Sequence, residues 1–349
     1  MPGTGMDSVY PLVSIIVLNY NGYEFLEDCF KSLRRISYPD YEVILADNSS
    51  TDNSVEFTSS NFPEIKILRN KENIGFAAGN NRGAELSRGK YLFFLNNDTK
   101  VNPDFLNFLV DYAEKDPKIA ICASKILTFE GNDEADLHYT CEGQDVGCVG
   151  RSCDIYGWQG WEGPVFFAEG STLFIRKDVF AALGGFDEKH FLFLEDLDLA
   201  WRAQLLGFKV KAVPESVIYH FAGGTVTGGR GRKKVFISNI KRRYLGEKNQ
   251  MRNILKNYSL GVLVTLLPRY LALNFCEMFY FAVTGRLDVV WQAYIKAHIW
   301  NMRNLGDTLK ERKKIQSLRN ISDAALQKNM LKHSAKLDTF RRIGAPQFK

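Results

Sequence analysis

Three carboxylates fall within four residues in the run Phe193-Leu194-Glu195-Asp196-Leu197-Asp198-Leu199-Ala200-Trp201-Arg202, inside otherwise apolar sequence. Gathering them is costly, because like charges raise one another's pKa, and a carboxylate so raised makes a useful general base. Glu195 and Asp196 stand at or just before the start of a helix. Acids there also complement a helix dipole, and Asp198 has Arg202 four residues on as a partner. That pairing accounts for Asp198 and Arg202 but not for the aromatic lead-in. A second group of polar residues stands where apolar runs stop: Asn19-Tyr20-Asn21, Asp47-Asn48 and Asn96-Asn97-Asp98. Asp98 with Asn96 supplies the oxygen ligands that a hard divalent cation takes beside a diphosphate. The same Asn-Asn-Asp also suits a simple turn. Asp47 can accept a hydrogen bond from a base imide or a ribose hydroxyl, or cap a helix in DNSSTDNS. His220 ends another apolar run, either as a structural histidine or as a metal ligand.

These groups need a scaffold, and the spacing of apolar residues describes one. LVSIIVL at 12–18 is a continuous apolar run, as expected of a strand buried on both faces of a parallel sheet. A helical pattern follows at Phe25, Leu26, Cys29, Phe30 and Leu33. Further strands are predicted at YEVILAD ending in Asp47, IKILRN at 65–70 and YLFFLNND at 91–98, with helical stretches between. Alternation of this kind implies βαβ units and an open, mostly parallel sheet. In such sheets ligands bind beyond the carboxyl ends of the strands, where the three polar groups fall. From about 122 to 165 the pattern loosens. A strand-like VFFAEGSTLFI (165–175), a short helix (178–183), a helix from about Leu197 and the strand KVKAVPESVIYH follow.

The expected architecture is therefore an α/β catalytic domain at 1–228, joined by the Gly-rich GGTVTGGRGR to a helical region at 229–349. Hydrophobic content of 45% argues against a disordered chain. The net charge of +5 hides an asymmetry: from Arg230 to Lys349 there are 25 Lys and Arg against 7 Asp and Glu. An acidic front and a basic back suggest cation-assisted chemistry first and an anionic surface second. Residues 259–284 are apolar enough to raise a membrane span. Arg269, Asn274 and Glu277 fall on one side of that helix and Pro268 interrupts it, which fits a helix lying in the interface or packed on the domain. Residues 291–309 repeat apolar positions as a second amphipathic helix. The six cysteines form no C-x-x-C pair, and MPGTGMDSVYP is too polar for a signal peptide, so free thiols in a reducing cytoplasm are expected. Cys141, Cys148 and Cys153 near His138 fit no usual zinc spacing.

The ordered set VSIIVLNYNG, ILADNSSTDNS, NIGFAAGNNRG, LFFLNND, FAEGSTLFI, GGFDEKHFLFLEDLDLAWR and VIYHFAGGT resembles the family 2 glycosyltransferases, in the rhamnosyl- and galactofuranosyltransferase-like branch. The resemblance covers about residues 11–226. It implies the GT-A fold, a mixed and mostly parallel sheet with flanking helices, and transfer of a sugar with inversion from a nucleoside diphosphate to an acceptor hydroxyl. By that resemblance Asn19, Tyr20, Asn21, Asp47, Asn48, Asn80 and Asn97 line the donor nucleotide. Asp98, His220 and Asn96 hold Mn²⁺ or Mg²⁺, Asp196 is the base, and Glu195 orients the base or the acceptor. Gly170 and Ser171, with Trp158 and Trp161, are assigned to the acceptor; packing is the other reading of the tryptophans. Two departures stand out. The family's D-x-D is here Asn96-Asn97-Asp98, with one acid. Asn80 occupies a position where many relatives carry Arg before the sequence Asn81-Arg82-Gly83. The lack of Q-x-x-R-W disfavours a processive synthase.

The basic segment GRGRKKVFISNIKRR reads either as a loop closing over a pyrophosphate or as a patch for anionic headgroups. Together with 259–284 it suggests peripheral attachment to the inner face of the cell membrane. A homo-oligomer through the C-terminal helices is a further expectation. Nucleic acid is disfavoured by the acidic front half and the absence of a binding motif. An oxidoreductase would need G-x-G-x-x-G after the first strand, where Asn-Tyr-Asn-Gly stands. A non-catalytic binder of nucleotide sugars or membranes is the alternative that turnover would test.

Overall fold

The computed structural model describes residues 10–128, 138–140, 154–156, 165–221 and 237–330, and beyond them 334, 336–337, 340–341 and 344–348. An eight-stranded sheet forms the centre. Its strands are β1 (Val13–Asn19), β2 (Tyr41–Asp47), β3 (Lys66–Arg69), β4 (Tyr91–Asn96), β5 (Thr99–Val101), β6 (Ile119–Thr128), β9 (Thr172–Arg176) and β10 (Lys209–His220). Two short strands, β7 (His138–Thr140) and β8 (Asp154–Tyr156), pair with each other, as do β11 (Ile237–Ser238) and β12 (Gln347–Phe348). The order in the large sheet is β3-β2-β1-β4-β9-β6-β10-β5. β1, β2, β3 and β4 run parallel, as do β6 and β10. β9 runs antiparallel between β4 and β6, and β5 antiparallel beside β10. The sheet is thus mixed with parallel pairing predominant, in agreement with the expected class.

Alternation along the strands feeds two cores. Ile16 of β1 and Leu92 and Phe94 of β4 turn to one face, while Val13, Ile15, Val17, Tyr91, Phe93 and Leu95 turn to the other. Helices α1 (Tyr23–Leu33), α2 (Ser54–Asn61) and α4 (Phe105–Lys115) cover the second face. The first receives α3 (Gly75–Leu86), α5 (Lys177–Leu183) and α6 (Glu195–Leu205). Fully burying side chains of this size stabilises by about 1.5–3 kcal/mol each. The glycines of AAGNNRGA let α3 approach β1 closely. A Cβ on Gly79 would come within 2.5 Å of Leu18, and one on Gly83 within 2.5 Å of Ile16. Pro214 gives β10 no N–H to donate, and the β6–β10 register shifts between Val213 and Val217.

The helical region comprises α7 (Ile240–Asn257), α8 (Leu260–Val283), α9 (Leu287–Val289), a π-helical segment (Val290–Ile295), α10 (Lys296–Arg303), α11 (Leu305–Ser317) and α12 (Asp323–Leu326). The amphipathic pattern at 291–309 is therefore divided among three segments. Lys248, Arg252 and Lys256, spaced by four on α7, are buried. Arg252 meets Asp187 at 2.7 Å and Asp307 at 2.8 Å, and Lys256 meets Asp198 at 3.0 Å. Part of the basic back is consequently spent inside the protein rather than on a surface. The polar side of α8 needs a correction too. Asn274 and Glu277 face the protein, Arg269 is exposed, and the outward side is apolar.

Candidate active site

Parallel register brings the carboxyl ends of β1, β2 and β4 together: Asn19 is opposite Asp47, and Leu18 opposite Asn96. Asn19 Nδ2 donates to Asp47 Oδ1 at 3.1 Å and to Ser50 Oγ at 3.0 Å, and Asn97 Nδ2 donates to Asn19 Oδ1 at 2.6 Å. Gly22 closes this group: a Cβ there would lie 1.9 Å from Asn97 Nδ2. Asn21 sits at φ 51°, its backbone N–H on Ser50 Oγ and its Oδ1 receiving Thr51 N–H. Tyr20 is exposed. Asn48 lies deeper, donating to Gly75 O at 3.0 Å and accepting from Asn70 Nδ2 at 2.9 Å. The buried Asn80 donates to Phe76 O, one turn back on α3, and its Oδ1 meets no partner among the described residues.

The turn after β4 carries Asp98 against the end of β10. His220 Nε2 lies 3.1 Å from Asp98 Oδ1 and 3.4 Å from Asn96 Nδ2, while His220 Nδ1 has no partner among the described residues. The Asp98–His220 contact is a direct hydrogen bond, and carboxylate and imidazole are both groups that a divalent cation accepts as ligands. Among the described residues no three His, Cys, Asp or Glu side chains gather as a metal cluster. Asp98, His220 and Asn96 therefore fit a hard cation that takes its other ligands from water and phosphate.

Asp196 reaches the same edge through β9. Its Oδ2 accepts Gly170 N–H at 2.8 Å and its Oδ1 accepts Leu197 N–H at 2.7 Å. The next residue, Ser171, accepts Asn96 N–H on its carbonyl at 3.0 Å, so Gly170 and Ser171 tie the acid to the end of β4. A Cβ on Gly170 would stand 3.1 Å from the Phe76 ring and 3.5 Å from Asp196 Oδ2. Burial holds the Asp196 carboxyl above its ordinary pKa, against the pull of the Gly170 and Leu197 amides. Glu195 is buried, its Oε2 without a partner among the described residues, and burial followed by the charge of Asp196 pushes its pKa well up. Asp198 behaves otherwise. Despite its burial, Arg202 and Lys256 hold its carboxyl below the usual range, and Arg202 Nε donates to it at 2.8 Å.

The Glu195 shift has a measurable sign. A folded-state pKa above the unfolded value of 4.5 gives stability that is complete below 4.5 and lost as pH rises through the folded value. Glu195→Gln removes that loss, by about 1.4 kcal/mol per pH unit across the interval. The melting temperature of the variant minus that of the wild type is expected to climb steadily with pH in thermal scans. A difference independent of pH would rule out the buried, protonated Glu195.

The segment before α6 was not legible as a special one. Phe191, Phe193 and Leu194 all adopt positive φ, at 65°, 72° and 66°. Non-glycine residues in such conformations cost about 1–3 kcal/mol each and persist only where their surroundings hold them. The hold comes from α7. Asn249 Nδ2 lies 3.1, 2.9 and 2.7 Å from the carbonyls of His190, Leu192 and Phe193, and Asn253 Nδ2 donates to Leu194 O at 3.1 Å. Lys248 Nζ donates to Lys189 O at 2.7 Å, and His190 Nε2 lies 2.7 Å from Asn253 Oδ1. On the other side Phe191 O accepts Phe76 N–H. The available signal was Asn249, Asn253 and Asn257 repeating every four residues, since Asn is a weak helix former and needs a reason to recur on one face. Trp158, Trp161, Cys141, Cys148, Cys153 and the Gly-rich joint lie outside the described residues.

A family model described as Glycosyl transferase family 2 matches residues 14–184, from β1 through α5. Over 238 residues the chain is 25% identical to N-acetylglucosaminyl-diphospho-decaprenol L-rhamnosyltransferase of Mycobacterium tuberculosis (strain CDC 1551 / Oshkosh), covering 62% of this chain and 76% of that protein. Over 227 residues it is 29% identical to the O-antigen biosynthesis protein RfbC of Myxococcus xanthus, covering 60% of this chain but only 17% of that protein. A crystal structure of GalNAc-T7 with UDP, GalNAc and Mn²⁺ is similar at a TM-score of 0.49 and 18% identity, covering 61% of this chain and 44% of that one.

Proposed function

Residues 14–184 belong to glycosyl transferase family 2, and from that premise we propose that the chain moves a sugar, with inversion, from a dTDP-, UDP- or GDP-linked donor to a hydroxyl of a glycan or lipid-linked glycan in cell-surface polysaccharide assembly. The observation that carries the reading is the placement of Asp196. It is half-buried, raised in pKa, and tied through Gly170 and Ser171 to the end of β4, whose following turn carries Asp98 against His220. Rhamnosyl-like donor use is favoured by the name of the mycobacterial relative.

In the proposed reaction the acceptor hydroxyl gives its proton to Asp196 as its oxygen attacks the anomeric carbon. The bond from that carbon to the diphosphate breaks on the opposite face, and the electron pair leaves with the diphosphate. Asn19, Asp47 and Asn97, already bonded to one another, present fixed polar atoms to the nucleoside. Mn²⁺ or Mg²⁺, when bound by Asp98, His220 and Asn96, would neutralise charge on the diphosphate. Burial and the neighbouring Asp196 favour the protonated form of Glu195, which leaves Asp196 as the carboxylate that takes the proton. The protein would work in the cytoplasm against the inner face of the cell membrane.

Calorimetric titration with UDP, dTDP and GDP, each with and without Mn²⁺, tests donor and cation together. One nucleotide is expected to bind preferentially, with Mn²⁺ tightening it by about tenfold or more, and Asp98→Ala is expected to remove that gain. Equal binding with and without Mn²⁺ would sink the cation assignment. Selective binding without turnover would favour a non-catalytic protein instead.

A further inference from the structure

Helix α8 carries its polarity inside out. Tyr270, Asn274 and Glu277 face α7, where Lys336 Nζ donates to Glu247 Oε1 at 2.8 Å, Glu277 Oε2 at 2.9 Å and Asn274 Oδ1 at 3.1 Å. Tyr270 Oη donates to Glu247 Oε2 at 3.2 Å, and Arg243 completes the seam against Glu277 and the Tyr294 hydroxyl. The outward positions Leu260, Val264, Leu271, Phe275, Phe279 and Val283, spaced mostly by four, are all exposed, Phe275 at 65% and Phe279 at 62%. Over 24 residues they make an apolar strip about 36 Å long. Two threonines on the exposed side, Thr265 and Thr284, donate their hydroxyls to the helix's own carbonyls of Val262 and Tyr280, each at 2.9 Å. These two hydroxyls therefore do not depend on water for a partner.

We infer that this strip is seated in one leaflet of an anionic lipid bilayer, with α8 lying along the interface and its outward side in the acyl region. The inference deepens the membrane contact proposed above and is independent of which sugar is moved. Among the described residues α8 is the one helix long and apolar enough to cross a membrane, but both of its ends are pinned to the same body. Ser259 N–H donates to Asp323 Oδ2 at 2.9 Å at its start, and Phe281 packs with Val289, Ala293 and Tyr294 at its end. Crossing would also draw the ionic seam into hydrocarbon, where charges are expensive. Contiguous apolar surface of this extent is unusual on a soluble monomer and marks an interaction site. Charge selects the lipid. Arg269, Lys296, Arg303 and Lys310 are exposed on α8, α10 and α11, whereas the exposed acids Asp288 and Asp307 are paired with Arg286 and Arg252. An apolar strip on a helical region whose exposed charge is basic, with Arg269 on α8 itself, suits anionic headgroups.

Flotation of the full chain with phosphatidylcholine vesicles, with and without phosphatidylglycerol, tests the inference. The wild type is expected to float with the anionic vesicles, and the double variant Phe275→Asp, Phe279→Asp to bind about tenfold less. The milder Val264→Ser is expected to weaken binding in the same direction, and both variants should bind nucleotide as the wild type does. Lipids brominated on their acyl chains should quench the fluorescence of exposed Trp291, and Trp291→Phe should lose that part of the quenching. Absence of vesicle binding by the wild type, or binding indifferent to the double variant, would overturn the assignment. So would a dimer, seen by light scattering, that the double variant dissolves without any vesicle binding; the strip would then belong to a second copy. Failure of nucleotide binding with vesicle binding intact would count against sugar transfer alone.

Discussion

Exchanging Asp196 for Asn is expected to lower turnover by about 10²- to 10⁴-fold, the usual contribution of a positioned base, while nucleotide affinity stays that of the wild type. The amide keeps the shape of the carboxylate and one oxygen that can still accept from Gly170 or Leu197, so the tie to β9 is largely preserved. What it loses is the capacity to take a proton. The wild type should show an acid limb in its pH–rate profile above the ordinary aspartate range, because burial raises the Asp196 pKa. In Asp196→Asn that limb should vanish along with the activity. Turnover surviving the exchange within about tenfold would move the base elsewhere, and the acid limb would then report another group.

The second large effect is expected outside the acids, at Asn249. Asn249→Asp replaces the amide that meets three backbone carbonyls by an oxygen that repels them, in a buried place. An uncompensated buried charge of this kind costs roughly 3–5 kcal/mol. The left-handed residues Phe191, Phe193 and Leu194 supply the route of escape, since releasing the loop relieves their strain as it relieves the repulsion. About 3 kcal/mol spent on the loop corresponds to a drop of roughly 100-fold in its competent population. Turnover should fall by that order at temperatures where the variant is folded, with little change in nucleotide affinity. The acid limb of the remaining activity should shift to lower pH, because a loosened loop lets water reach Asp196. Asn253→Ala, which removes the bond to Leu194 O, should move both readings the same way by less. A variant that merely melts earlier, with rate and pH profile intact when folded, would show that α7 stabilises the domain without setting the loop.

Much of the sheet was legible because its strands are written as continuous apolar runs or as apolar residues alternating with polar ones. VSIIVLN, YEVILAD and KVKAVPESVIYH became β1, β2 and β10 with hardly a residue's disagreement. The strand Ile119–Thr128 was missed because it runs into residues without apolar periodicity, and its identity depends on pairing with β9 and β10. Strand direction was legible only as an average: nothing in TLFIR says that β9 runs against its neighbours. At the site, local sequence announced the strand-end asparagines and the acid run, but no local signal places Asp98 beside His220, 122 residues on. The loop was hidden for a sharper reason. Positive φ is usually foretold by Gly, and here Phe and Leu adopt it because a later helix holds them. Periodicity grouped Asn274 and Glu277 on one side of α8 but wrongly placed Arg269 with them, and it left open which side the protein would keep.

Asn249 and Asn253 reach the loop from well downstream, and that fixes when the molecule is finished during its synthesis. The large sheet has all its strands once residue 220 has emerged from the ribosome. At that moment the acids of α6 follow a loop that still lacks the bonds from Asn249 and Asn253, and it gains them only after α7 has been made. The nascent chain thus passes through a stage that possesses the sheet but not the side chains that fix the loop before α6. The same order bears on exchanging modules between transferases: a graft cut at 228 carries Glu195 and Asp196 away from the side chains that hold them, whereas one that extends through α7 takes the clamp along.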